Sequence, residues 1–112
     1  MAVRADGAPV GTVAWERVNR RSAIAAVGGL AIAPHVQGRG VGRAAVEALV
    51  VDLFERRGLH RIELEVYGFN DAAATFFERL GFVREGVRRR AYRRDDGWVD
   101  GIRFGLLVED RR

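Results

Sequence analysis

The hydrophobic pattern along the chain changes period several times, and each change marks an element. Ala2–Ala5 is short and strand-like, and Asp6-Gly7 is a turn signal. Val10–Val18, rich in Val, Thr and Trp, predicts a strand that closes a hairpin with the first. After a polar turn at Asn19–Ser22, Ala23–Ala33 is almost wholly apolar, as in a strand buried on both faces, and Pro34 ends it. Gly28-Gly29 inside that run predicts a bulge or a close backbone approach.

From Arg43 to Arg57 the period becomes helical. Val46, Leu49, Val50, Leu53 and Phe54 fall on one stripe, and Gly58 supplies a left-handed stop. Arg61–Val66 then alternates strictly between polar and apolar, as a half-buried strand does. Asn70 or Asp71 caps a second helix, roughly Ala72–Leu80, whose apolar positions share a face and which Gly81 ends. Phe82–Arg94 and Trp98–Val108 read as strands joined by a hairpin turn at Asp95-Asp96-Gly97, with Trp98, Ile102, Phe104, Leu106 and Val108 on one face. Residues 109–112 form a polar tail. The order β-β-β-α-β-α-β-β predicts an α/β (α+β) domain: a mixed, mostly antiparallel sheet of about six strands with helices packed on it.

At 112 residues, 48% of them apolar, the chain has room for one domain, taken as residues 1–112, with a real core. No run approaches the roughly 20 apolar residues that span a bilayer, and the N-terminus has no apolar leader, so a cytoplasmic protein with no membrane partner is expected. The absence of cysteine excludes disulfides, thiolate metal sites and acyl-cysteine intermediates. His35 and His60 are poor material for a metal site, and none is expected. The net charge is +4, and all 19 basic residues are arginine, a balance that suits anionic partners without choosing among them.

The most informative segment joins the apolar strand to the first helix: Gln37-Gly38-Arg39-Gly40-Val41-Gly42-Arg43. Three glycines let the backbone turn its N–H groups inward, and the helix start adds unpaired donors and a positive dipole end. Together they form an anion cradle suited to a diphosphate, with Arg39 and Arg43 at its rim. A P-loop would need Gly-Lys followed by Ser or Thr, whereas Gly42 is followed by Arg43-Ala44. A dinucleotide fingerprint would need a third glycine where Arg43 stands.

Leu30–Gly42 resembles the acetyl-CoA motif of the GNAT superfamily of N-acetyltransferases, whose core is Arg/Gln-x-x-Gly-x-Gly/Ala. Asn70–Phe82 resembles that family's Asn…(Tyr/Phe)-x-x-x-Gly-Phe segment. Glu85-Gly86, Arg88-Arg89 and Arg94–Asp100 resemble the branch that acetylates ribosomal-protein N-termini or free amino acids. The likeness runs from about residue 2 to residue 108. It lacks the strand and two helices with which the family usually begins, so a truncated GNAT fold is expected.

The resemblance implies direct transfer of an acetyl group from acetyl-CoA, as cosubstrate, to a primary amine in a ternary complex. It implies that Leu30, Ala31 and Ile32 offer backbone groups to the acyl-pantetheine arm, with an oxyanion donor near Ile32. Gly38, Arg39, Gly40, Val41, Gly42 and Arg43 would hold the pyrophosphate, and Asn70 the pantetheine chain. Many relatives carry a basic Glu on the strand before the loop; here that strand has none, and Glu16 on the preceding strand is the nearest carboxylate. Many carry a proton-donating Tyr seven residues after the Asn; here that residue is Phe77, which stays among the coenzyme-binding residues. Tyr67 and Tyr92 are the substitutes, and Tyr92 is taken with Glu16 as the catalytic pair. Asp100, inward if Ile102 is inward, would bind a cationic acceptor.

Without the N-terminal elements an apolar sheet face would lack cover, which predicts a homodimer. The departures at Phe77 and on the strand before the loop equally suit a non-catalytic acyl-CoA-binding or degenerate acetyltransferase module. A third class, a basic nucleic-acid-binding domain, is set aside. Strand alternation scatters Arg88-Arg89-Arg90 and Arg93-Arg94 over two faces, and the aromatic residue among them, Tyr92, does not by itself make a stacking platform.

Overall fold

A computed structural model describes residues 2–5, 8–19, 21–32 and 40–111. Six strands form one sheet in the order β1-β2-β3-β4-β6-β5. They are β1 (Ala2–Ala5), β2 (Ala8–Asn19), β3 (Ile24–Ile32), β4 (Arg61–Tyr67), β5 (Val83–Arg94) and β6 (Gly97–Leu107). Helix α1 (Val41–Val51) follows β3, and α2 (Asp71–Arg79) follows β4. All strand pairs are antiparallel except β3 with β4. The expected element order and mixed sheet are therefore observed.

Both helices form where their sequences allow a start. Gly40 takes φ 77° ahead of α1, a left-handed conformation that costs a residue without a Cβ little. Asn70 caps α2 by accepting from the Ala73 N–H at 3.0 Å. Past Val51, α1 loosens into a π-helical turn, Asp52–Arg56, in which the Arg57 N–H reaches the Asp52 carbonyl. That turn keeps Leu53 and Phe54 on the buried stripe with Val46, Leu49 and Val50.

The core lies between the helices and one face of the sheet. Alternation puts Ile62 and Leu64 of β4 and Ile102, Phe104 and Leu106 of β6 under α1 and α2, all of them buried. Each such side chain contributes about 1.5–3 kcal/mol by leaving water. Trp98, expected on this face, is half exposed beyond the helices' reach.

The opposite face of β4 is polar. Arg61 donates to both Glu63 and Glu85, and Arg103 lies 3.8 Å from Glu63. The Arg61 guanidinium holds the Glu85 carboxyl below the usual carboxylate range.

Nor is β3 the strand buried on both faces that its apolar run predicts. Ala25 is buried, but Gly28 is exposed.

Candidate active site

The site begins with a missing partnership. β3 and β4 pair only at Ile24–Arg61, Ala25–Ile62 and Ala26–Glu63, although β3 continues to Ile32 and β4 to Tyr67. The cause is a bulge. On β2, Ala14 pairs with Gly29 and Trp15 with Val27, so Gly28 is the extra residue and β3 bends away from β4. Gly28-Gly29 thus supply the bulge their sequence predicts. Beyond Ala26 the two strands open as a wedge.

Cavities lie on both sides of that wedge. On the helix side a cavity of about 360 Å3 is lined by Val27, Gly28, Leu64, Ala73, Phe76 and Phe77, with Gly42 and Glu65. On the far side one of about 150 Å3 shares Val27, Leu64 and Glu65 and adds Ala26, Glu63 and Arg103. A third, about 370 Å3, is lined by Gly28, Glu65, Val66, Tyr67, Asn70, Ala73 and Tyr92. Glu65 borders all three.

Leu30, Ala31 and Ile32 pair with Val13, Thr12 and Gly11 of β2. Their other edge faces the wedge with no strand beside it among the described residues, which leaves main-chain groups to bond an extended ligand by strand addition. At the wedge mouth, Gly40 precedes α1 with no side-chain cap, so the first N–H groups of the helix stay available to an anion. Arg43, near the start of α1, and Arg79, at the end of α2, line a further cavity of about 620 Å3 that runs along α2. Gly38 and Arg39, and His35, lie outside the described residues.

Glu65 is the residue that sequence reading missed. It follows Leu64 on β4, its side chain is 20% exposed, and Oε1 accepts from Arg88 Nη1 at 3.2 Å. Oε2 is buried with no hydrogen-bond partner among the described residues. Such an atom is costly to bury unless a ligand proton completes it. A search confined to the strand before the glycine loop could not find it. The available signal was the strict alternation of Arg61–Val66, which puts Glu63 and Glu65 on one face of the strand after the loop.

Gly101 makes room for this carboxylate. A Cβ there would stand 2.7 Å from Glu65 Cδ and 2.9 Å from the Tyr92 ring. Arg88 Nη1 also donates to the Tyr92 hydroxyl at 3.2 Å. The neighbouring Glu65 carboxylate, with partial burial, holds the Tyr92 phenol above the ordinary tyrosine range.

The remaining expected residues divide. Tyr92 meets Glu65, and Tyr67 packs edge-on against it at 5.5 Å. Asn70 lines the third cavity, but its Oδ1 is occupied by the α2 cap, which leaves its amide N–H groups to a ligand. Phe77 packs edge-on against Phe76 and Phe82, an apolar wall with no proton to give. Glu16 pairs across β2–β3 with Ala26, is exposed, and takes no part in lining the three cavities.

Asp100, expected to bind a cationic acceptor, is engaged by the main chain of β5 through one of its oxygens. Arg88 pairs with Gly101 and Tyr92 with Val99, so Arg89–Ala91 bulge opposite Asp100 alone. Asp100 Oδ1 accepts from the Arg90 N–H at 2.7 Å and holds Arg90 at φ 48°. The bulge also breaks the regular alternation expected of these arginines. Aromatic rings from other segments do lie under them: Arg94 over Phe69 at 4.4 Å and Tyr67 at 5.7 Å, and Arg93 over Trp98 at 5.9 Å.

Comparison with known proteins agrees with this architecture. The family model described as "Acetyltransferase (GNAT) family" matches residues 1–82. The [ribosomal protein bS18]-alanine N-acetyltransferase of Escherichia coli (strain K12) is 39% identical over 79 residues, covering 70% of this chain and 53% of that protein. The crystal structure of the ribosomal-protein-S18-alanine N-acetyltransferase from Escherichia coli superposes with a TM-score of 0.81 at 32% identity, over 94% of this chain and 65% of that one. Mutant forms of the spermidine/spermine N-acetyltransferase SpeG from Vibrio cholerae superpose with a TM-score of 0.86 at 27% identity, over 95% of this chain and 63% of theirs. The chain thus spans about half the length of that ribosomal-protein acetyltransferase. A main-chain edge opened by the Gly28 bulge, a helix start behind Gly40 and this set of likenesses lead to one assignment: the chain belongs to the acetyltransferase (GNAT) family.

Proposed function

We propose that the protein transfers an acetyl group from acetyl-CoA to a primary amine by direct attack in a ternary complex. The observation that carries this reading is Glu65, a carboxylate at the neck of a wedge bordered by cavities on both sides of the sheet. The thioester lies along the main-chain edge of Leu30–Ile32, and the pyrophosphate lies at Gly40–Arg43. The amine enters from the face opposite the helices and gives a proton to Glu65. Its nitrogen then forms the C–N bond, and the tetrahedral oxyanion is held by a main-chain N–H near Ile32. When the C–S bond breaks, the departing thiolate takes a proton from Tyr92, since Phe77 has none, and the tyrosinate is reprotonated by the second proton leaving the amide nitrogen.

The reaction is assigned to the cytoplasm, in keeping with a chain free of cysteine. No step requires the homodimer expected from the sequence, because Glu65, Arg88 and Tyr92 come from one chain.

The rival reading, a coenzyme-binding module without turnover, is favoured by one observation: the apolar packing of Phe77 where many relatives carry a tyrosine. Release of free thiol from acetyl-CoA with a panel of primary amines separates the two. Amine-dependent release is expected; coenzyme binding with no release for any amine would replace this reading with the rival.

A further inference from the structure

Arg88 is only partly used by the machinery around it. A guanidinium has five N–H donors, and the two hydrogen bonds made by Arg88 among the described residues both come from Nη1, to Glu65 and Tyr92. Its Nε and Nη2 edge, the edge that matches a carboxylate in two parallel hydrogen bonds, has no partner among those residues. The side chain is 54% exposed, so that edge meets solvent beside the cavity of Glu65, Tyr67 and Tyr92.

The surrounding charge favours an anion there. Glu63 is held by Arg61 and Arg103, Glu85 by Arg61, and Asp100 by the Arg90 main chain. Arg94 covers Phe69 and Tyr67 at the rim of the same cavity. Glu16, exposed on β2, stands farther out beyond Ala26. A polycation approaching Glu65 therefore also meets the guanidiniums of Arg88 and Arg94.

We propose, on the basis of the acetyl-transfer reading, that the acceptor carries a carboxylate within a few bonds of its amine. Arg88 binds that carboxylate while Glu65 takes the amine proton. Arg88 Nη1 lies 3.2 Å from Glu65 Oε1, so the two groups are neighbours at one site. A free amino acid and a peptide with an acidic second residue share this chemistry.

Calorimetry on the CoA-saturated protein tests the proposal without turnover, using alanine against alaninamide, Ala-Asp-amide against Ala-Arg-amide, and spermidine. The carboxylate-bearing member of each pair should bind about tenfold tighter, as charge-assisted hydrogen bonds give. The stronger of the two preferences tells an amino acid from an acidic peptide. Arg88→Gln should abolish the preference, and Arg88→Lys, which keeps the charge and the fold, should retain part of it. Equal affinities, tighter binding of spermidine, or a preference that survives Arg88→Gln would overturn the proposal. If the preference stands and thiol release is absent with every amine, the acetyl-transfer reading falls and the carboxylate site remains.

Discussion

The Glu65 carboxylate lies over Gly101, across one strand, in space that a Cβ would fill. Gly101→Ala keeps the strand and adds one methyl group, which has to displace Glu65, Tyr92 or both. Turnover should fall by about 10²-fold, the scale of an ångström's misplacement of a catalytic group. Acetyl-CoA affinity, which depends on the other side of the wedge, should hold. Steady-state kinetics beside coenzyme titration reads both, and an unchanged kcat would remove Glu65 placement as the role of this glycine.

Glu65→Gln preserves shape and hydrogen-bonding reach but cannot accept a proton. We expect kcat/KM to drop by roughly 10²–10⁴-fold. Glu16→Gln, on an exposed carboxylate away from the wedge cavities, should change it little. The opposite ranking would return the base to β2.

Tyr92 can donate a proton only while its phenol is intact. The Glu65 carboxylate raises the tyrosine's pKa above its usual value of about 10, so the donor form persists to higher pH than in a free tyrosine. Activity that depends on Tyr92 should therefore fall only on the alkaline side of that value. Tyr92→Phe should lower kcat at least roughly tenfold and remove that limb from the pH profile. An alkaline limb unaltered in the variant would assign the proton to another group.

The Arg61–Glu85 pair affects stability. Its guanidinium lowers the Glu85 pKa relative to the unfolded chain, so the contribution is complete above the ordinary carboxylate range and is lost as pH falls through the lower folded value. Glu85 is 37% exposed, and solvent screening limits the effect to about 0.5–1 kcal/mol. Urea unfolding of Glu85→Gln should show that deficit at pH 7 and a smaller one near pH 3. An equal deficit at both would point to lost packing.

How much of this was legible in the sequence depended on whether local rules decide the outcome. Gly40, Asn70 and the stripe from Val46 to Phe54 act within a turn or two of chain, and the expected helices form where those residues put them. Gly28-Gly29 announced a bulge, but what the bulge opens depends on β4, more than 30 residues later. The alternation of Arg61–Val66 showed that Glu63 and Glu65 share a face. It could not show that Arg61 and Arg103 engage the first while the second borders the wedge. The tie between Asp100 and Arg90 was hidden for a related reason: three residues of β5 crowd opposite Asp100, and no periodicity read along β6 reveals a bulge in its neighbour.

The wedge between β3 and β4 also governs traffic. With cavities on both faces of the sheet, the coenzyme and the amine need not queue at a common doorway, and neither has to leave before the other. On the acetyl-transfer reading, free CoA departs toward the helices and the acetylated product toward the polar face. Each product then contests only the berth it vacated. Inhibition by CoA should be competitive with acetyl-CoA alone, and inhibition by the amide competitive with the amine alone.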